Sequence, residues 1–95
     1  MERNRHNILF HELIGLDVTI LSHSDPHLIG VSGRIVDETM NTLRILLNNG
    51  RILTVFKRYG LFETTLPGNT KMVIDGSQIL GRPEDRLKRL KSSKI

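Results

Sequence analysis

The sequence predicts a mainly β protein: a small, twisted antiparallel barrel of about six strands with short helices at the N- and C-termini. Three observations support this prediction. From Leu16 onward, apolar residues alternate with polar ones at a period of two, the pattern of strands that bury one face. The alternating runs are short and are separated by residues that favour turns. No segment between the runs is long enough, or has the apolar spacing, to form a helix.

Turn residues set the bounds of the predicted strands. Residues 24–26 (SDP) close the first strand, and Asn49-Gly50 is the pair that best fits a type I′ hairpin turn, in which both central residues have positive φ. Gly33 lies inside the second strand, either at a bend where this strand curls to close the sheet or beside a tightly packed neighbour. The predicted strands cover residues 16–20, 29–35, 43–47, 52–56, 61–66 and 72–74, followed by a short one at 78–80.

Helical patterns occur only near the two ends of the chain. Residues 7–16 place apolar side chains on one helical stripe, which predicts a helix that covers one end of the barrel. After Gly81, Pro83 suits a first helical position, and Glu84 and Asp85 face the positive end of the helix dipole. The predicted organisation is a tail with a short helix at 1–15, the barrel at 16–81, and a basic helix or tail at 82–95.

The composition predicts one soluble, cytoplasmic domain. Its 95 residues suffice for a single core, and 38% hydrophobic with 25% charged residues is typical of folded proteins. The absence of cysteine excludes disulfides and thiolate metal sites and fits a reducing compartment. No apolar run approaches the length of a membrane span, and the first residues do not resemble a secretory signal.

The net charge of +4 comes entirely from the C-terminal segment. Residues 1–12 and 13–81 each balance their basic and acidic groups, whereas residues 82–95 carry six basic groups against two acidic ones. A basic surplus in one segment indicates a polyanionic partner. The candidates for RNA contact in this segment are Arg82, Arg86, Lys88, Arg89 and Lys91. For Arg82 and Arg86 the alternative is that they fasten the segment to the barrel or to a protein partner.

One loop of the predicted barrel also has features typical of nucleic-acid contact. Residues 57–60 (KRYG) combine two cations, an aromatic ring and a flexible residue, which suit phosphate contact and base stacking, although a solvated loop fits them equally well. Lys57, Arg58 and Tyr59 are therefore candidates for RNA contact, together with Arg34 on the second strand.

The pattern of elements narrows the type of barrel. The chain has only four aromatic residues, and its three phenylalanines are expected in the core, which disfavours an RRM sheet with its row of stacking rings. An OB-fold usually carries a helix between its third and fourth strands, and no such segment is present. An SH3-like or Sm-like barrel remains.

No catalytic or metal-binding constellation emerges from the sequence. His23 and His27 are four residues apart, but an intervening proline excludes the helix that would place them on one face. Asp37 and Glu38 are adjacent on a strand and point to opposite faces, so a turn-stabilising role is favoured over an Mg²⁺ site. Ser77 has no histidine nearby. The prediction is therefore no catalytic residue and no metal ligand.

Several segments occur in an order that resembles a known family. They are residues 11–16 (HELIGL), 28–39 (LIGVSGRIVDET), 41–43 (NTL) and 81–87 (GRPEDRL), with 66–68 (LPG) and 74–76 (IDG) between them. Together they resemble the Sm-like protein subunit of archaeal ribonuclease P, a family shared with a larger eukaryotic nuclear subunit of RNase P and MRP. The resemblance covers nearly the whole chain. It departs from the family pattern at Phe56, where a proline is common, and at Gly68-Asn69, where Asp-Gly is more usual.

The resemblance implies a barrel of about six strands with helical termini, within a ribonucleoprotein that removes the 5′ leader from precursor tRNA. In this family the catalyst is the RNA with its Mg²⁺ ions, so this chain is expected to bind no cofactor and to be no enzyme on its own. Family members pair with a small zinc-ribbon subunit, and the pair binds the specificity domain of the RNA. Expected partners are ribonuclease P RNA, other protein subunits and, indirectly, precursor tRNA, with no membrane.

Apolar residues near the termini are candidates for contact with a protein partner: Leu9, Phe10, Leu13, Leu87 and Leu90. The leading interpretation is a non-catalytic RNA-binding subunit. One alternative is another RNA-binding barrel, such as a ribosomal or ring-forming Sm-type protein, and a ring former would self-associate. The other alternative is a stand-alone hydrolase, which would cleave precursor tRNA without the RNA subunit.

Overall fold

A computed structural model describes residues 13–86, in which six antiparallel strands form one sheet. Two short 3-10 turns, at Pro26–Leu28 and Gly76–Ile79, follow the first and the last strand. Residues 83–86, at the end of the described part, are helical. The strands are β1 (Asp17–His23), β2 (Ser32–Glu38), β3 (Thr42–Leu46), β4 (Ile52–Phe56), β5 (Gly60–Leu66) and β6 (Thr70–Asp75).

The strand order is β4-β3-β2-β1-β5-β6, which makes β4 and β6 the edges of the sheet. In β1, Val18 lies opposite Gly33 of β2 on one side and opposite Thr64 of β5 on the other. Bulges interrupt the register after Ile20 in β1 and after Ile35 in β2, and bulges of this kind increase the local twist. Residues 13–86 contain no ladder between β4 and β6, so closure into a barrel stays a prediction.

The core lies on the inward face of the strands. In β3, for example, Leu43 and Ile45 are buried, whereas the residues between and beside them are more exposed. Since successive strand residues point to opposite faces, the period-two pattern directly selects the buried set. The buried apolar residues are Leu13, Leu16, Val18, Ile20, Ile35, Leu43, Ile45, Val55, Phe62, Leu66, Ile74 and Ile79.

The six predicted main strands are confirmed, and the predicted seventh strand at 78–80 is wrong. β4 has the predicted bounds, and each of the other five differs by one to three residues at one or both ends. Gly76–Ile79 forms a 3-10 turn because Asp75 caps it. The Asp75 carboxylate accepts the N–H of Ser77 at 2.9 Å, and the Gln78 side chain accepts the N–H of Asp75 at 3.2 Å.

The turn of the β3–β4 hairpin differs from the predicted type I′ turn. In this loop only Gly50 has a positive φ, of 86°, whereas a type I′ turn needs two such residues. The N–H of Gly50 donates to the carbonyl of Leu47 at 3.0 Å, and the N–H of Leu47 donates to the carbonyl of Arg51 at 2.8 Å. The loop is therefore three residues long, a type I turn followed by a left-handed glycine.

Gly33 is required by the close approach of a neighbouring strand. A Cβ at this position would overlap the carbonyl oxygen of Leu46 and would lie 2.7 Å from the side chain of Ile45. Of the two roles left open by the sequence, the packed neighbour is the one observed. The bulge in β2 lies further along, after Ile35.

The described residues reach only part of each predicted terminal helix. Residues 13–16 form a turn, with Gly15 at a φ of 95° and the N–H of Leu16 donating to the carbonyl of Leu13 at 3.2 Å. The predicted helix at 7–16 is therefore wrong for its last four residues, and its remainder lies outside the described range. At the other end, residues 83–86 are helical, and the rest of the predicted C-terminal helix lies outside the described range. No helix within the described part of the chain has the length and apolar character needed to cross a membrane.

Candidate nucleic-acid interface

A buried charge cluster joins β2, the loop after β4 and the C-terminal helical turn. Its centre is Glu38, at the end of β2. The carboxylate accepts a hydrogen bond from Lys57 (Nζ to Oε2, 2.7 Å) and two from Arg86 (Nη2 to Oε1, 3.2 Å, and Nη1 to Oε2). The N–H of Leu13 lies 3.5 Å from Oε1. One carboxylate thus holds the segments before β1 and after β6 against the sheet.

Both cations of this cluster also donate to backbone carbonyl oxygens. Lys57 Nζ lies 2.8 Å from the carbonyl oxygen of Thr39 and 2.9 Å from that of Gly81. Arg86 Nη1 donates to the same Gly81 oxygen at 2.6 Å and to that of Ile79 at 3.2 Å. Buried charges require such partners because the protein interior removes them from water. Gly81 is therefore fixed from two directions just before the basic segment begins.

The structure contradicts two of the predicted RNA contacts. The side chains of Lys57 and Arg86 are buried, with relative exposures of 0% and 1%. Neither cation can reach a phosphate at the surface of this fold, so the predicted RNA contact is wrong for both, and Arg86 instead fastens the C-terminal segment to β2, the strand that carries Glu38. The missed signal is alternation: Lys57 follows Leu53 and Val55 in the inward register of β4. Glu38, read from sequence as a turn residue, is the buried counterion.

With Lys57 turned inward, Arg58 and Tyr59 remain at the surface. Tyr59 has a left-handed φ of 69°, and the residue is 72% exposed. The N–H of Ser24 donates to the Tyr59 carbonyl at 3.2 Å, which holds the loop against the end of β1. A positive φ is unfavourable for a bulky residue and persists where the surroundings impose it. The structure therefore presents both side chains together, and their contact with RNA stays a prediction.

His23 fixes the same loop from the end of β1. Its Nε2 lies 3.0 Å from the carbonyl oxygen of Phe56, and its Nδ1 accepts the N–H of Asp25 at 3.0 Å. Because a carbonyl only accepts and a backbone N–H only donates, this geometry assigns the proton to Nε2. Phe62 is buried in the core, as the sequence predicts. The same prediction is wrong for Phe56, which is 65% exposed on the outward face of the edge strand β4.

Arg34 is exposed on the outer face of β2, and its positive charge is paired with the carboxylate of Asp17. Its Nε lies 3.6 Å from the Asp17 carboxylate, and Lys71 Nζ lies 3.8 Å from the Glu63 carboxylate. The two pairs line an open depression of about 370 Å³. Since two carboxylates balance two cations there, this surface carries no surplus positive charge. The predicted RNA contact of Arg34 stays a prediction, with this pairing against it.

The remaining predicted site residues are divided between the surface, the core and the part of the chain that is not described. Arg82 is exposed at the start of the helical turn. Leu13 is fully buried in the core, so the prediction that it contacts a protein partner is wrong. Lys88, Arg89, Lys91, Leu9, Phe10, Leu87 and Leu90 lie outside the described residues.

The titratable groups that could suggest chemistry have structural roles. The Asp25 carboxylate caps a 3-10 turn by accepting the N–H of His27 at 3.0 Å, which lowers the pKa of Asp25 below its ordinary value. Asp75 accepts the N–H and the hydroxyl of Ser77, both at 2.9 Å, and its pKa is lowered for the same reason. Between residues 13 and 86, no three His, Asp or Glu side chains are placed to hold a metal ion.

Two exposed arginines of the β3–β4 hairpin, Arg44 and Arg51, are not among the RNA contacts predicted from the sequence. Within the described range neither they nor Arg58 has a carboxylate at ion-pair distance, whereas Arg34, Lys57, Lys71 and Arg86 each have one. A signal was present, because residues 39–62 contain no acidic residue. The local excess of positive charge at 39–62 is not visible in the charge of residues 13–81 as a whole, which is balanced.

Comparisons with known proteins agree with one another. The family described as Ribonuclease P/MRP, subunit p29 matches residues 6–89. The chain is 49% identical over 90 residues to "Ribonuclease P protein component 1" of Staphylothermus marinus, covering 95% of this chain and 98% of that one. The protein of the same name from Desulfurococcus amylolyticus is 50% identical over 88 residues, covering 93% and 96%.

A solved structure supports the same assignment. Mth11, described as a homologue of human RNase P protein Rpp29, superposes with a TM-score of 0.60 at 46% sequence identity. The match covers 80% of this chain and 97% of that one. A family match across most of the chain, close relatives over nearly its full length and a shared fold lead to one conclusion: the chain belongs to the ribonuclease P/MRP subunit p29 family.

Proposed function

We propose that this chain is a non-catalytic, RNA-binding protein subunit of ribonuclease P that supports removal of the 5′ leader from precursor tRNA. The observation that carries the proposal is the similarity to ribonuclease P protein component 1 over 95% of the chain. The surplus of positive charge in residues 82–95 supports an RNA partner.

The proposed non-catalytic role is supported by what the acidic residues do. Glu38 is occupied by two buried cations, and Asp25 and Asp75 cap turns. Asp37 accepts the N–H of Glu38 at 2.8 Å, so this adjacent pair does not fit the open carboxylate site that Mg²⁺ needs. The proposal therefore places the Mg²⁺ ions of the holoenzyme on the RNA and assigns no cofactor to this chain.

The proposed architecture is a closed Sm-like barrel with helical termini. Its support is the approach of the two sheet edges beside Lys57, where a Cβ on Gly76 would overlap the Lys57 carbonyl oxygen. The helical turn at 83–86 supports the C-terminal helix. In this arrangement Glu38 and Gly81 set the point from which the basic segment leaves the barrel.

The proposed contacts follow from accessibility. Arg58, Tyr59 and Arg82, which are exposed, remain candidates for RNA contact together with Lys88, Arg89 and Lys91. We propose the RNA subunit and a small zinc-ribbon subunit as direct partners, precursor tRNA as an indirect one, and a cytoplasmic location. The candidates for the protein contact are Leu9, Phe10, Leu87 and Leu90.

Reconstitution tests this proposal. The cognate ribonuclease P RNA and the other subunits are assayed for precursor tRNA cleavage with and without the chain, in the same Mg²⁺ concentration. We expect the chain to bind the RNA, to raise the cleavage rate of the complex and to cleave nothing by itself. Cleavage by the chain alone would overturn the non-catalytic role, and absence of RNA binding would overturn the proposal as a whole.

A further inference from the structure

The β3–β4 hairpin and the loop after it carry three exposed arginines that form no ion pair with a carboxylate of the described residues. They are Arg44, Arg51 and Arg58. The nearest carboxylate in the strand register is Asp37, opposite Arg44; it forms no ion pair with Arg44, and its single negative charge offsets only part of the three positive charges. The surplus is therefore a property of one hairpin and its following loop.

Apolar and aromatic groups share this surface with the arginines. Arg44 lies opposite Thr54, Thr42 opposite Phe56, and Leu46 opposite Ile52. The intervening residues of both strands point into the core, so these pairs face outward. Phe56 is one of the most exposed apolar side chains of the described chain, and Ile52 is 48% exposed. Arg44 and the exposed ring of Phe56 thus belong to neighbouring outward-facing pairs of the β3–β4 ladder.

Two hydrogen bonds hold the aromatic end of this surface in place. His23 donates from Nε2 to the Phe56 carbonyl, and the N–H of Ser24 donates to the Tyr59 carbonyl. Both rings therefore project from backbone that is fastened to the end of β1. Tyr59 is held with a positive φ, and strain of this kind at an exposed ring is typical of positions that contact a ligand.

We propose that the outward face of β3–β4 and the loop after it bind an unpaired strand of RNA. In this arrangement Arg44 and Arg58 contact phosphates, and the rings of Phe56 and Tyr59 stack on bases. The inference rests on the proposed function, which it deepens by adding a surface separate from the basic C-terminal segment. Charge complementarity favours RNA over a protein partner, and exposed rings favour an unpaired strand, since a duplex offers no free base faces.

RNA binding by variants of the full chain tests this inference. Arg44→Gln combined with Arg58→Gln is compared with Lys71→Gln, a cation of the same sheet that is paired with Glu63. Affinity for the cognate ribonuclease P RNA is measured from low to moderate salt. Each lost phosphate contact lowers the slope of log K against log salt by about 0.7 for single strands, so we expect a loss of about 1.4 for the double variant. We expect no change for Lys71→Gln.

The aromatic rings are expected to contribute to RNA affinity without contributing to its salt dependence. Phe56→Ala is expected to weaken binding about 5-fold or more while leaving the salt slope unchanged, because stacking releases no counterions. Circular dichroism confirms that each variant is folded, which is expected since all four substituted side chains are exposed.

The outcomes separate this inference from the proposed function. If the wild-type chain binds RNA but these variants behave like Lys71→Gln, the hairpin surface is not an RNA site and the proposed function still stands. If they retain RNA binding but lose association with the other protein subunits, the surface is a protein interface and the inference is overturned. If the wild-type chain binds no RNA, both proposals fail.

Discussion

Replacing Glu38 with glutamine removes the carboxylate that compensates two buried cations. The side chains of Glu38, Lys57 and Arg86 are almost fully buried, and Lys57 Nζ lies 2.7 Å from Glu38 Oε2. Glutamine keeps the shape and one acceptor oxygen but not the charge. The variant therefore isolates the electrostatic part of the cluster with little change in packing.

The expected cost follows from the charge balance of the cluster. Removing one partner of a buried ion pair costs about 3–5 kcal/mol, because the other charge is left uncompensated in the interior. Here one substitution leaves two such cations, so we expect at least this cost. For a domain of this size, each kcal/mol lowers the Tm by about 4–8 °C, which gives a decrease of more than about 10 °C. Total stabilities of about 5–15 kcal/mol make this a large fraction.

Lys57→Met provides the matched control. It leaves one anion and one cation, so the remaining pair of Glu38 and Arg86 stays balanced. We expect a smaller cost of about 1–3 kcal/mol, from the carbonyl oxygens that lose a donor.

Urea denaturation followed by circular dichroism measures the free energy of unfolding of the wild type and of each variant. The reasoning is refuted if Glu38→Gln costs less than about 1 kcal/mol, or if Lys57→Met costs more than Glu38→Gln. Hydrogen exchange adds a local readout. Residues 81–86 should exchange faster in Glu38→Gln, since Arg86 loses its anchor.

Three further predictions concern other parts of the chain. A stop after Arg86 keeps the buried cluster and removes Lys88, Arg89 and Lys91, so the salt slope of RNA binding should fall by about 0.7–0.9 for each lost phosphate contact. Gly33→Ala should destabilise the protein by about 1–3 kcal/mol in urea denaturation, because its Cβ overlaps the Leu46 carbonyl. Asp75→Asn should cost stability at neutral pH, and this cost should shrink as the pH falls below about 4.

The sign of the Asp75 effect follows from its pKa. Ser77 lowers the folded-state pKa of Asp75 below the ordinary 3.8, so the charged form is stabilised by folding. This contribution is present above pH 3.8 and is lost as the pH falls through the folded-state pKa. A cost of Asp75→Asn that stays constant from pH 7 to pH 2 would contradict it.

Controls exist for the other two predictions. For Gly33→Ala, the matched variant is Ser32→Ala, which lies next to it in β2, loses only an exposed hydrogen bond to Thr19 Oγ1 and should cost less than Gly33→Ala. For the stop after Arg86, an unchanged salt slope with an unchanged fold would assign RNA binding to the sheet alone. A stop after Gly81 is a poorer test, since it also removes Arg86 from the buried cluster.

Local patterns in the sequence were sufficient for most of the fold. Period-two alternation located six strands and most of the core, because the face that a strand residue occupies depends on its immediate neighbours. Turn residues located the hairpins, but Asn49-Gly50 did not determine the turn type. The loop has three residues, and its length depends on how β3 and β4 align rather than on the dipeptide alone.

By itself, the sequence determined the fold class, the basic character of the C-terminal segment and the resemblance to a ribonuclease P subunit. Only the tertiary structure decided which cations are available. Glu38 binds Lys57 and Arg86, which are 19 and 48 positions away, and no local pattern reports such pairings. The fold buries two predicted contacts and leaves Arg44 and Arg51 exposed and without an ion pair among the described residues. The physical reason is that a cation's role depends on whether a carboxylate reaches it in space, and the sheet register sets that distance.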